Sequence, residues 1–232
     1  MPTEITKTIY TFAELKSLVE TGELPQSALD KARQFLDDTD EPYWTECVIE
    51  RWTSALEQIG FIEVDIRFRG FWSQGDGASF SAKYVDSETL IEFLSTARDS
   101  SESITVDSKG KEDFRGWILD RIGWNGIDFN HRWQWLAAFA DTLDVRCTRG
   151  HSLYVHENTC ELTIDDNYGH TELVSAEIES LQQFADDFRR EVSQAIYSSL
   201  EEEYGYIRSD EYIQEIAEAN GWKFDCSGNA EY

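Results

Sequence analysis

Cys147, His151, His156 and Cys160 offer two thiols and two imidazoles in the spacing Cys-x3-His-x4-His-x3-Cys. Those are suitable donors for tetrahedral zinc. The spacing fits no common zinc finger, however. If 152–157 and 159–165 pair as strands, His151 and His156 have opposite parity and point to opposite faces. The set therefore reads as ordinary cysteines and surface histidines, and no cofactor is expected. A second fragment, Asp107-Ser-Lys109, follows Ile104-Thr-Val106. An Asp and a Lys at a strand end are part of a metal-dependent nuclease site, where carboxylates hold Mg²⁺ and the ammonium assists water. Asp99 or Asp65 would have to supply the second carboxylate. The serine-rich surroundings favour a loop instead.

A third group is Ser73-Gln74-Gly75-Asp76-Gly77. Glycines permit positive φ and close backbone approach, and an aspartate there can hold a ligand. The loop leads from one alternating strand into another, so the strand-to-helix context of a dinucleotide site is missing. It reads first as a hairpin connection with Phe71 and Trp72 as packing anchors. Gln74, Gly75, Asp76 and Gly77 stand as a candidate loop site. The aromatic block Phe114, Trp117, Trp124, Phe129, Trp133, Trp135 and Phe139 is interleaved with Arg115, Arg121 and Arg132. Base stacking is one reading. A core or a protein-binding surface is the better one, and such a surface would also serve a homodimer.

Charge is the strongest signal. The chain has 46 acidic and 20 basic side chains in 232 residues, a net charge of -26. Self-repulsion on this scale opposes compaction. With 8 Trp, 10 Tyr and 13 Phe the chain is nevertheless a folded protein, not a disordered acidic tail. Residues 1–60 carry 12 acids and 5 bases, residues 61–150 carry 15 and 11, and residues 151–232 carry 19 and 4. Direct nucleic-acid binding is disfavoured, because phosphate contacts need Lys and Arg. A basic partner is favoured. The candidate contact residues are Glu201, Glu202, Glu203, Asp210, Glu211, Glu215 and Glu218. Glu211, Glu215 and Glu218 fall at i, i+4 and i+7, one stripe of a helix. Glu201 to Glu203 end the preceding helix, where carboxylates oppose the helix dipole.

The elements that position these groups follow from periodicity. Thr11 and Glu14 have capping-box spacing and open a short helix. Leu29, Ala32, Phe35 and Leu36 mark a second helix, and Val48, Trp52, Ala55, Leu56 and Ile59 a third. The period then becomes two, with Ile62, Val64, Ile66 and Phe68 expected inward, and a return strand through Phe80, Ala82 and Tyr84. Asp86 caps a helix, 131–142 reads as helix, and 144–149 and 152–166 read as strands with a turn at Glu157-Asn158. A long helix over 175–203 uses Ile178, Leu181, Phe184, Phe188, Val192, Ile196 and Leu200 as its core face. Ser209 caps the last helix and Gly221 ends it. The fold class is α+β: an antiparallel sheet covered by helices, with an N-terminal helical segment over 1–60 and an α+β domain over 61–232.

Two stretches resemble a family of small acidic bacteriophage proteins. They are Phe68 to Ala78, which holds the FWSQGDGA box, and Leu200 to Tyr212, which holds the EYxYxxSDE segment, with Ala219-Asn-Gly221 and Phe224 beyond. The resemblance implies a phage origin and brings no catalytic residues with it. Expected location is the host cytoplasm: no secretory signal and no membrane-length apolar run is present, and cysteines without CxxC are expected as free thiols. The resulting expectation is a non-enzymatic acidic inhibitor of a host restriction or CRISPR-type complex, imitating nucleic acid on that complex's basic groove. A metal-dependent hydrolase, or an acidic phage accessory protein without mimicry, are the alternatives.

Overall fold

The computed structural model describes residues 8–39, 43–96, 101–123, 143–166 and 175–231. The fold is α+β, with antiparallel strands throughout and a long helix in the C-terminal third. Its contacts group into two compact units, a terminal one of Met1–Glu46 with Glu201–Tyr232 and a central one of Cys47–Leu200. The expected helix over 131–142, with its tryptophans, lies outside the described residues.

In the terminal unit both chain ends build one small sheet. Strand β1 (Ile9–Tyr10) pairs with β8 (Lys223–Asp225), which pairs with β9 (Ala230–Glu231). Helix α1 (Phe12–Glu20) opens with the expected capping box, Thr11 and Glu14 each satisfying the other's backbone N–H. Helix α2 (Gln26–Thr39) follows, and α7 (Asp210–Asn220) is capped by Ser209 and stopped at Gly221. Phe12, Leu15, Leu29, Ala32, Ile213, Ala217 and Phe224 form the core of this unit. The sharp β8–β9 connection is drawn tight by Asp225, whose Oδ1 accepts the N–H groups of Ser227 and Asn229. Gly228 sits there at φ +78 against the backbone of Ala28, where a Cβ would lie 1.9 Å from the carbonyl oxygen. Only glycine fits that approach.

The central unit rests on two hairpins. Strands β2 (Phe61–Arg69) and β3 (Gly77–Val85) form one, and β6 (Leu143–Arg149) and β7 (Cys160–Asp166) the other. A short pair, β4 (Thr105–Val106) and β5 (Glu112–Asp113), precedes helix α5 (Arg115–Arg121). Helices α3 (Trp44–Gln58), α4 (Ser87–Thr96) and α6 (Ser175–Ile207) supply the covering layer. The unit divisions fall inside α3 and inside α6.

Phe61, Phe80 and Phe188 meet in this core, Phe61 edge-on to Phe80 at 5.4 Å and stacked on Phe188 at 6.4 Å. Trp52 is fully buried, 4.6 Å from Trp117, and its indole N–H donates to Ser199 Oγ. The expected core face of α6 is buried at Phe188, Val192, Ile196 and Leu200 and half-buried at Phe184, while the side chains of Ile178 and Leu181 lie outside the described ones. From the same helix Gln182 donates to the Leu162 carbonyl and accepts from the Ile164 N–H. One side chain thereby supplies β7 with a ladder-like pair of bonds, which protects a strand edge from pairing elsewhere.

Two expectations about the strands are corrected. Ile62 is 45% exposed, and its neighbour Phe61 is buried instead. Glu63 takes φ +54, which turns the strand and swaps the inward residue at that end. The return strand of the second hairpin starts at Cys160, not Ser152. Residues 151–159 are loop and a 3₁₀ turn (Glu157–Thr159), held by Thr159 and the His156 carbonyl and ring.

Candidate functional site

Two surfaces of different character emerge: the acidic end of the terminal unit and a cleft in the central unit. The first is assembled by the segment Glu203 to Tyr212. Tyr206 packs edge-on against Tyr212 at 5.2 Å and donates its hydroxyl to Glu215, while Arg208 lies over the ring of Tyr204. Tyr204 also meets Trp44 at 5.5 Å. This segment therefore folds the end of α6 onto α7. The hydrogen bond to Glu215, with partial desolvation and the charges of Glu211 and Glu203, pushes the Tyr206 hydroxyl above its ordinary value.

On that frame Glu201, Glu202, Glu211, Glu215 and Glu218 are exposed and Glu203 is half-buried. Glu211, Glu215 and Glu218 rise about 6 Å and then about 4.5 Å along the axis of α7 at 1.5 Å per residue. One strand of a DNA duplex carries a charge about every 3.4 Å. The stripe is thus a diluted version of that spacing. Asp210 differs from the other six. Both its oxygens accept from Arg33, at 2.8 and 2.9 Å, and Lys16 lies 2.8 Å away. Partial burial raises its pKa, but the hydrogen bonds and charges of Lys16 and Arg33 outweigh this and hold the carboxyl below its ordinary value. Its carboxylate pins α7 to α1 and α2.

The second surface is built where loop 70–77 meets loop 151–158. Arg69 donates to the Leu153 carbonyl at 2.7 Å, and Val155 N–H donates to the Gly75 carbonyl at 3.0 Å. Gly75 has φ +88 and lies under the Tyr154 ring, where a Cβ would come within 1.9 Å of a ring carbon. Within the first loop Asp76 Oδ2 accepts from the N–H groups of Trp72 and Ser73. Phe71 packs on Phe68 and Tyr197. The glycine-rich connection is therefore a docking platform for a second loop as well as a hairpin turn. Gln74, Gly75, Asp76, Tyr154, His156, Glu157 and Asn158 line an open cleft of about 390 Å³. Gly77 is buried beside it, against the backbone of Val155 and His156. Trp72 is 78% exposed and Leu153 88% on the two bordering loops. Tyr154, Glu157 and Asn158 carried no functional signal in the sequence, because the contact joins loops some eighty positions apart.

The four zinc-type donors are not gathered into one site. Cys147 and Cys160 are buried; His151 is exposed; the ring of His156 accepts from the Asn158 N–H. Cys160 lies within sulfur hydrogen-bond range of the Glu157 carbonyl and of Ser193. Burial, reinforced by nearby Cys160, pushes the Cys147 thiol far above its ordinary value and away from the thiolate a metal requires. Among the described residues no group of three or more His, Cys, Asp or Glu side chains is placed to hold a metal ion. Asp107 is occupied in a turn: its Oδ1 accepts from Lys109 and Lys111 N–H, bonds that hold its pKa down. Asp65 pairs with Arg149 and Arg67. Asp99 lies outside the described residues.

Fold and surface together define an α+β protein of extreme negative charge with an acidic terminal unit and a preformed cleft. Over residues 44–210 the chain matches the family described as a domain of unknown function, DUF8835, and it belongs to that family. The matched segment contains the cleft and stops at Asp210, so Glu211, Glu215 and Glu218 lie beyond it. No curated protein and no solved structure matches the chain. Among the described residues no helix is long and apolar enough to cross a membrane.

Proposed function

We propose that this protein is a non-enzymatic acidic inhibitor that occupies the basic nucleic-acid groove of a partner complex. The observation that carries the reading is the exposure of Glu201, Glu202, Glu211, Glu215 and Glu218 around one helical turn-back. Carboxylates held on folded helices offer a fixed charge pattern to a cationic groove, and such complementarity raises association rate and selects partners. The family resemblance of the FWSQGDGA and EYxYxxSDE segments adds a phage setting, in which host restriction or CRISPR-type complexes are the natural basic targets. Within this reading Asp210, paired with Lys16 and Arg33, stabilises the helix that presents the surface.

The test is capture from host lysate at low and at high salt, with mass-spectrometric identification. The expected result is a nucleic-acid-binding defence complex, released by salt and displaced by DNA or RNA. Interactions of exposed charges are screened within about 10 Å at 0.1 M salt. Capture that neither salt nor nucleic acid disturbs would count against mimicry.

A further inference from the structure

The cleft of the central unit is a second contact point with its own chemistry. Its lining includes two carboxylates, Asp76 and Glu157, and no lysine or arginine. Asp76 is largely buried, directs Oδ2 to backbone N–H groups and forms an ion pair through Oδ1 with Arg69 Nε at 3.8 Å, which makes Glu157 the carboxylate that can meet a ligand. Glu157 accepts from the Asn158 amide through Oε1. The two nearby guanidiniums hold the loop backbone, Arg69 on the Leu153 carbonyl and buried Arg189 on the Glu157 carbonyl. Tyr154, which rests on Gly75 and stacks loosely with the lining residue His156 at 6.3 Å, supplies an aromatic wall that is 52% exposed, and Gln74 and Asn158 are exposed polar groups. Carbonyl and carboxylate acceptors beside an aromatic face select a planar cation, which stacks on the ring and forks to the carboxylate. The volume lies at the lower end of the range usual for small-ligand clefts, about 300–1,000 Å³, which leaves room for a side chain.

The geometry points to this cleft as the seat of an arginine side chain of the protein partner, stacked on Tyr154 and paired to Glu157. The inference rests on the reading of the partner as a basic protein, and it gives that partner a specific anchor besides long-range charge. Trp72, on the bordering loop, supplies apolar contact for the residues flanking that arginine, in the way aromatic groups anchor interfaces generally. The preformed loop pairing keeps the anchor site open before the partner arrives, so little ordering accompanies binding.

The experiment uses the full chain, labelled with ¹⁵N, and N-acetyl-arginine amide as the probe at 0.15 M salt. N-acetyl-citrulline amide, of similar shape without charge, is the control. Amide shifts are expected at residues 72–77 and 153–158, with citrulline at least about tenfold weaker, as loss of a charged, forked partner predicts. Tyr154→Ala and Glu157→Gln should each abolish the response at those residues. Trp72→Ala removes a mostly exposed ring together with its edge-on contact to Phe71, and should leave the free-arginine response while weakening capture of the partner. Shifts confined to α7, or an equal response to citrulline, would overturn the assignment. Charge reversal of Glu211, Glu215 and Glu218 separates the two readings: the cleft response should persist in that variant even if partner capture never depended on the glutamates. A cleft response lost with the α7 charges would mean general attraction, and would also overturn it.

Discussion

The terminal and central units carry the same formal charge at very different density. The terminal unit has 19 acidic and 6 basic side chains, -13 in 78 residues; the central unit has 27 and 14, also -13, in 154 residues. In the central unit acids are repeatedly matched: Arg149 with Asp65, Lys83 with Glu63, Arg115 with Asp113, Arg146 with Asp144 and Arg190 with Asp187. In the terminal unit Lys16 and Arg33 both converge on the single carboxylate of Asp210. Glu201, Glu202, Glu211, Glu215 and Glu218 of this unit are exposed. The contrast separates two uses of one amino-acid type. Asp210 is a part of the scaffold, and Glu211, one residue on, is a part of the surface.

The largest test of that contrast is to reverse Glu201, Glu202, Glu211, Glu215 and Glu218 to Lys. Partner capture should fall by on the order of 100-fold, since wrong-sign juxtaposition costs several kcal/mol. The circular dichroism spectrum should remain that of an α+β fold. Capture unaffected by five reversals would end the mimicry reading. Next in size are the cores. Phe224→Ala in the terminal unit and Trp52→Ala in the central unit should each cost about 3–5 kcal/mol. Hydrogen exchange read separately over 8–46 with 201–231 and over 47–200 should show the loss mainly in the unit that carries the change. Uniform loss would show that the two behave as one cooperative block.

Two glycines at positive φ sharpen the comparison further. Gly228→Ala drives a Cβ into a backbone carbonyl, whereas Gly75→Ala drives one into a half-exposed ring that can swing aside. Positive φ alone costs a non-glycine residue about 1–3 kcal/mol. The Gly228 variant should therefore be the less stable in thermal unfolding, and the reverse order would contradict the packing described. Smaller still is Asp210→Asn, expected to cost about 1 kcal/mol at neutral pH because its partners are partly exposed. The sign of its pH dependence is defined by the lowered carboxyl pKa. The contribution is present above the unfolded carboxyl value and is lost as pH falls through the folded one. A wild-type minus variant difference that grows on acidification would refute this. Smallest is Asp107→Ala, which should reduce amide protection only at Lys109 and Lys111 in the β4–β5 turn.

Local signals were legible wherever one short segment determines its own structure. The Thr11–Glu14 box, the Asp86 and Ser209 caps, and the Gly221 stop all act within four residues. The core face of α6 was legible for the same reason, since a helix repeats every 3.6 residues whatever it packs against. The inward residue at the start of β2 was not, because Glu63 adopts positive φ without a glycine to announce it. The span 152–157 alternates enough to pass as strand, yet Val155 bonds to Gly75 in place of a hairpin partner. Such a pairing has no local trace.

Composition determined the charge of this protein, and spacing determined which glutamates share a helical stripe. Periodicity determined the α+β class. Tertiary structure decided which acid is drawn into the scaffold, because ion pairing depends on what the chain brings near: Lys16 and Arg33 lie far from Asp210 in sequence and within 3 Å of it in space. It likewise decided that both chain ends share one sheet and that a hairpin turn becomes the floor of a cleft. Closing such loops costs entropy that only long-range packing offsets, and no short window of residues contains that balance.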